Sequence, residues 1–204
     1  MRFSWEDSCS AFTDAARWFI QTVQLVHGRW DEAALGEWDV RALVGHTSRS
    51  FLTVETYLDR PASRVDVGSA ADYFRTTRVM AAGPEVAERG REAGAALGPD
   101  PATAVAAIAD RVLRLVARRN GTELLTTLVG GMRLEDYLPT RVFELAVHTA
   151  DLAVVLDVPL DIPPTAGTQV LNIIAELAVT DGVAGPLILA ATGRQAFPPG
   201  YSLL

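Results

Sequence analysis

The chain has 204 residues, enough for one substantial core, and its 49% hydrophobic and 21% charged content is that of a soluble globular protein. A net charge of −7 argues against nucleic acid and against an anionic membrane surface as partners. All 18 basic residues are arginines, which excludes chemistry through a lysine Schiff base.

The N-terminus, Met-Arg-Phe-Ser-Trp-Glu-Asp, lacks a basic segment followed by an apolar run, so no signal peptide is expected. Residues 8–27 read as an amphipathic helix, with Ala11, Ala15, Trp18, Phe19, Thr22, Val23 and Val26 at helical spacing. His27-Gly28 ends it, and a cation at His27 suits the helix dipole. Cys9, the only cysteine, allows no intrachain disulfide, fits a reducing cytoplasm, and has no basic neighbour in sequence to activate it. A loop through Gly36-Glu-Trp38 leads to Asp39, a good N-cap for a helix over 39–58. That helix buries Leu43, Val44, Phe51, Val54 and Leu58, and its His46 points to the packed side.

Arg60-Pro61-Ala-Ser makes a second loop. A helix from Ser69 to about Met80 follows, interrupted at Gly83-Pro84, and a further one runs from Glu85 to Leu97. Gly90 and Gly94 mark the latter as the least rigid, since each costs about 1 kcal/mol in a helix interior. Asp100-Pro101 pairs an N-cap with proline at the first helical position, and Asn120-Gly121 stops that helix. Glu123–Val129 is strand-prone, Gly130-Gly131 reads as a turn, and Met132–Leu134 pairs back into a short ribbon over 123–134. Helices follow over 136–156, from Pro163-Pro164 to Thr180, and from Pro186 to Thr192. The extended tail, with Phe197 and Tyr201, either covers the bundle mouth or meets a second chain. No run reaches the roughly 18 apolar residues of a membrane span. The whole, 1–204, reads as one all-α domain, cytoplasmic, with short loops that favour an antiparallel bundle.

Helix 136–156 carries the chemistry. Arg141, Glu144, His148 and Asp151 follow one another at steps of three, four and three, so they share one stripe. One reading is a solvated face with intrahelical pairs, Arg141 to Glu144 and His148 to Asp151. The other joins His46 to Glu144 and His148. Two imidazoles and a carboxylate can hold a divalent metal and leave a coordination position open. Residue spacing by itself leaves both open.

Two stretches resemble a known family. Trp38-Asp-Val-Arg41-Ala-Leu-Val-Gly45-His46 is one. Gly130-Gly-Met-Arg-Leu134-Glu-Asp-Tyr137-Leu-Pro-Thr-Arg141-Val-Phe-Glu144-Leu-Ala-Val-His148-Thr-Ala-Asp151 is the other. Both look like the mycothiol-dependent maleylpyruvate isomerases, among the DinB-like metal-binding bundles. The similarity runs from about residue 8 to Arg194. It implies a DinB-like antiparallel four-helix bundle with extra C-terminal helices, and metal ligands at His46, Glu144 and His148. Maleylpyruvate isomerases carry a further C-terminal domain, whereas this sequence ends at Leu204. The resemblance therefore implies a thiol S-transferase ahead of an isomerase.

On that reading, the cofactors are a divalent metal, zinc first and nickel or iron also suited, and mycothiol as thiol cosubstrate. The partners are the thiol and an electrophilic substrate, in a monomer or homodimer. Asp151 would accept the free N–H of a ligand imidazole or contact a sugar hydroxyl, and Arg141 would neutralise Glu144 or bind an anionic substrate. The same ligands would also serve a hydrolase, lyase or cyclase that uses no thiol. A bundle without catalysis is the third reading.

Overall fold

Ser4 starts the first helix. Its hydroxyl accepts the Asp7 backbone N–H and the Asp7 carboxylate accepts the Ser4 N–H, which satisfies two donors that a helix N-terminus leaves open. Helix α1 (Trp5–Gln24) therefore sits closer to the N-terminus than the expected 8–27. His27 and Gly28 follow in the left-handed region, at φ 46° and 95°, and turn the chain away. The computed structural model describes residues 3–81 and 84–204.

The expected loop before Asp39 contains a small antiparallel hairpin, β1 (Ala33–Leu35) with β2 (Trp38–Asp39), closed by Gly36 at φ 57°. Asp39 then caps α2 (Val40–Leu58), its carboxylate accepting the Ala42 N–H at 2.7 Å. Helices α3 (Ala70–Ala81) and α4 (Pro84–Ala96) follow, and the expected break at Gly83 lies outside the described residues. Asp100 accepts the Thr103 N–H and opens α5 (Pro101–Val116).

The ribbon is present as β3 (Leu124–Thr127) against β4 (Gly130–Arg133), with Leu125 opposite Met132. Its turn is not Gly130-Gly131, as expected, but Leu128-Val129. Gly131 is needed for another reason: a Cβ there would stand 2.0 Å from the Arg64 carbonyl oxygen. The ribbon lies against α2 and α6 and takes an extra bridge from Pro61 to Leu125. Helices α6 (Leu134–Leu156), α7 (Pro164–Thr180) and α8 (Ala184–Ala191) complete the chain.

The architecture is the all-α bundle that the sequence implies. Helix α1 packs on α6, α6 on α2, α2 on α5, and α5 back on α1, so four helices close a ring around the core. Phe12, Phe19, Leu43, Phe51, Val112, Leu138, Leu145 and Leu152 fill it. Helix α7 covers α1 and α6, and α3 lies over α6 and α7. The tail does not hang free. Tyr201 donates to the Val183 carbonyl, Arg78 of α3 donates to the Leu203 carbonyl, and Phe197 stacks on Tyr201. Among the described residues no helix is long and apolar enough to cross a membrane.

Helix α4 gives a packing role to the glycines that lower its helix propensity. Its glycines are contact points, because it is pressed backbone to backbone on α2. A Cβ on Gly45 would stand 2.1 Å from the Gly94 nitrogen, and one on Gly94 would stand 2.6 Å from the Arg41 carbonyl oxygen. Gly45→Ala must push the helices apart, at a cost of about 1–3 kcal/mol by overpacking. Gly185→Ala in α8 meets open space and should be neutral or stabilise by less than about 1 kcal/mol. Urea unfolding of the two variants measures the contrast; equal stabilities would refute the close α2–α4 contact.

Candidate metal centre

Helix α6 turns its polar stripe inward. It is the central helix, touching α1, α2, α3 and α7, so few of its faces meet water. Arg141 is 6% exposed. The solvated-face reading of the stripe is therefore not what the fold builds.

On the other side of the site, His46 leaves α2 at the level where Gly45 meets α4. Its Nε2 stands 3.9 Å from Glu144 Oε2, and His148 Nε2 stands 3.3 Å from the same oxygen. The imidazole rings of His46 and His148 meet edge to face, centroids 4.9 Å apart. One donor atom from each of His46, Glu144 and His148 lies within 4.8 Å of the others. Ligands bound to zinc at about 2.0–2.2 Å stand about 3.3–3.6 Å apart in a tetrahedron, so the trio fits an ion with movements below about 1 Å. Between 17% and 23% of each side chain is exposed, which leaves the cluster reachable by a small molecule.

Residues 12–153, more than half of the chain, match the family described as the mycothiol maleylpyruvate isomerase N-terminal domain. The chain belongs to that family. The match covers α2 and nearly all of α6, and thus all five candidate site residues, while α7 and α8 lie beyond it. Neither a curated protein nor a solved structure matches the chain significantly.

Within this family member the electrostatics separate the two histidines. His148 lies in an environment whose burial opposes its charge, but hydrogen bonds to Asp151 and Glu144 outweigh burial and lift its pKa to about 9. Its Nδ1 lies 3.0 Å from Asp151 Oδ2, which leaves Nε2 facing Glu144. Burial and the charge of His148 push His46 the other way, to about 4, against a smaller pull from Glu144. Burial works against the Glu144 carboxylate too, yet His148 and Arg141 together hold it down at about 2. The Nδ1 of His46 is buried with no hydrogen-bond partner among the described residues. A neutral imidazole, an ionised carboxylate and a second imidazole whose outer nitrogen is occupied make a donor set suited to a divalent ion.

Arg141 departs from one expectation. It does not pair with Glu144 along the helix, since the partners of Glu144 are His46 and His148. Its guanidinium lies over the rings of Tyr137 and Tyr73, at 4.9 and 5.5 Å, and its Nε donates to Thr140 Oγ1. It acts on Glu144 through space. Tyr73, Tyr137 and Trp38, which stacks on His46, are the site residues that spacing alone did not mark. Cys9 is no part of the cluster: it is half-buried, and burial with the Glu6 charge raises its thiol to about 11. Nor does cavity size mark the chemistry. An open groove of about 510 Å³ beside Trp18, Pro159 and Pro163 contains no histidine.

Metal binding should release a proton at neutral pH. His148 is protonated below about 9 and must give up its Nε2 proton to bind, whereas His46 is already neutral above about 4 and Glu144 ionised above about 2. Affinity should therefore rise about tenfold per pH unit between pH 6 and 8 and level off above about 9. Asp151→Asn removes the larger of the hydrogen bonds that raise His148, so the plateau should begin at lower pH. Calorimetry of Zn2+ binding in buffers of different ionisation enthalpy counts the proton; a pH-independent affinity contradicts the assignment.

Proposed function

We propose that the chain is a metal-dependent enzyme that transfers a low-molecular-weight thiol, mycothiol, to an electrophilic substrate. The supporting observation is the convergence of three donors from two helices within 4.8 Å, with no fourth His, Cys, Asp or Glu grouped with them among the described residues. A closed structural site would use four protein ligands; three leave room for a substrate atom. Membership of the mycothiol maleylpyruvate isomerase family supports the choice of thiol.

His46, Glu144 and His148 would hold the metal, zinc first by ligand type, with nickel or iron also suited. A divalent ion there supplies the positive charge that keeps a thiol, of ordinary pKa about 8.5, ionised at neutral pH. The chain's own residues do the rest. Asp151 takes the Nδ1 hydrogen of His148, which fixes its tautomer and raises its basicity. Arg141 is a buried cation that lies over two aromatic faces and donates to a threonine hydroxyl, and it would bind an anionic group on the electrophile. The tyrosines fix the plane of the guanidinium, so little freedom is lost when it meets a ligand. Cys9 takes no part.

The experiment is reconstitution with Zn2+, Ni2+ or Fe2+ and incubation with mycothiol and a panel of electrophiles, followed by mass spectrometry. A thiol adduct that depends on metal and disappears in His148→Ala supports the transferase. Conversion of the electrophile without an adduct would assign the same site to a hydrolase, lyase or cyclase. A wild-type chain that takes up no metal after reconstitution would leave a bundle without this chemistry. With an active electrophile in hand, Arg141→Lys should raise KM for anionic substrates about tenfold and leave neutral ones nearly unchanged. Equal effects on both would remove Arg141 from substrate recognition.

A further inference from the structure

His46 is the exposed weakness of the cluster. A metal-ligating imidazole usually donates its second ring N–H to a carboxylate or carbonyl, and that bond fixes the ring. His148 has such a partner in Asp151. Among the described residues His46 has none, because its Nδ1 is buried without a hydrogen bond. The torsion that sets the plane of a histidine ring is intrinsically broad. Something else must hold the ring.

The indole of Trp38 meets it. The two ring centroids are 4.5 Å apart with planes inclined by 34°. The same indole approaches His148 edge-on, at 6.4 Å and 73°. We propose that Trp38 is a positioning residue of the metal centre, whose aromatic face, in place of a hydrogen bond, sets the plane of the His46 imidazole and aims its Nε2 edge at Glu144. The inference rests on the reading that His46, Glu144 and His148 hold a divalent ion.

The platform is itself built by the fold. Trp38 belongs to the hairpin strand β2, immediately before the Asp39 cap of α2. Its Nε1–H donates to the Ala87 carbonyl of α4 at 2.9 Å. Three residues on, Gly90 presents no side chain, and a Cβ there would stand 2.6 Å from Cε2 and Nε1 of the indole. At Ala87 and Gly90, helix α4 meets Trp38 with backbone. The Gly45–Gly94 contact presses α4 on α2 beside His46. Hairpin, α4 and α2 together clamp one ring against another.

The test uses the full chain with Co2+ as the probe, for its affinity and its visible absorption both report coordination. Trp38→Phe keeps an aromatic face, Trp38→Leu keeps only apolar bulk, and both lack the indole N–H, so their difference isolates the face. Trp38→Phe should bind Co2+ much like the wild type. Trp38→Leu should lose about 10- to 100-fold in affinity and show an altered Co2+ spectrum. Gly90→Ala, which displaces the indole without replacing it, should move both readouts in the same direction. Thermal unfolding of each variant without metal separates this from general destabilisation. A folded Trp38→Leu chain with wild-type affinity and spectrum overturns the inference. If that variant does not fold, Gly90→Ala decides, and unchanged Co2+ binding there overturns it equally. A wild-type chain that binds no Co2+ removes the metal centre itself, and this role of Trp38 with it, an outcome distinct from the other two.

Discussion

Charge buried on one face of α6 is the constraint around which the site is organised. An ionised group taken out of water is costly unless another charge or a set of hydrogen bonds replaces its hydration. Each member of the stripe meets that demand differently. Glu144 has His148 and His46 beside it and Arg141 at a distance. His148 lies between two carboxylates. Arg141 has two aromatic faces and a threonine hydroxyl. The carboxylates and the imidazoles thus hold one another in their charge states, and a bundle core built only for stability would place leucine at such positions. The arrangement costs stability, and a ligand site is the natural account of it.

The stripe needs a partner helix at a fixed distance, and the chain supplies it through small residues. Helix α2 approaches α6 with His46 and is packed on α4 beside it. The Gly45–Gly94 contact allows the backbones to touch, which no pair with side chains would permit. The same contact brings the Ala87 carbonyl and Gly90 to Trp38. Glycines that lower intrinsic helix propensity thus stand where the geometry of the site requires close approach.

Much of this was legible in the residues, and the failures have physical causes. Asp39 and Asp100-Pro101 mark helix starts in the sequence because a side-chain cap has a local signature that needs no tertiary information. Ser4 and Asp7 carry such a signature too, and the apolar periodicity overshadowed it. The steps of three and four placed Arg141, Glu144, His148 and Asp151 on one stripe, but periodicity cannot say which way a stripe faces. That is decided by α2, which arrives from far along the chain. For the same reason Gly130-Gly131 looked like a turn: a glycine needed for close approach to Arg64 is indistinguishable in sequence from one needed for a turn. The β1–β2 hairpin, of three and two residues, is too short to show alternation. Trp38 stood in the motif that carried the family resemblance, yet nothing local told that its ring would lie against a histidine.

The two histidines show how far environment overrides residue type. The side chains are identical, and their rings are 4.9 Å apart. One has carboxylates on both nitrogens and holds a proton to about pH 9; the other faces one carboxylate, an indole and the charge of its neighbour, and loses its proton near pH 4. A proton on His148 and a metal ion would occupy the same lone pair, directed at the same Glu144 oxygen. In the metal-free chain the bridging proton therefore does in part what the ion would do: it supplies the positive charge that Glu144 needs. This explains how a cluster with so much partly buried charge persists in the fold, and why the side chain that would exchange its proton for an ion is the one held by Asp151, while His46 is in the neutral form.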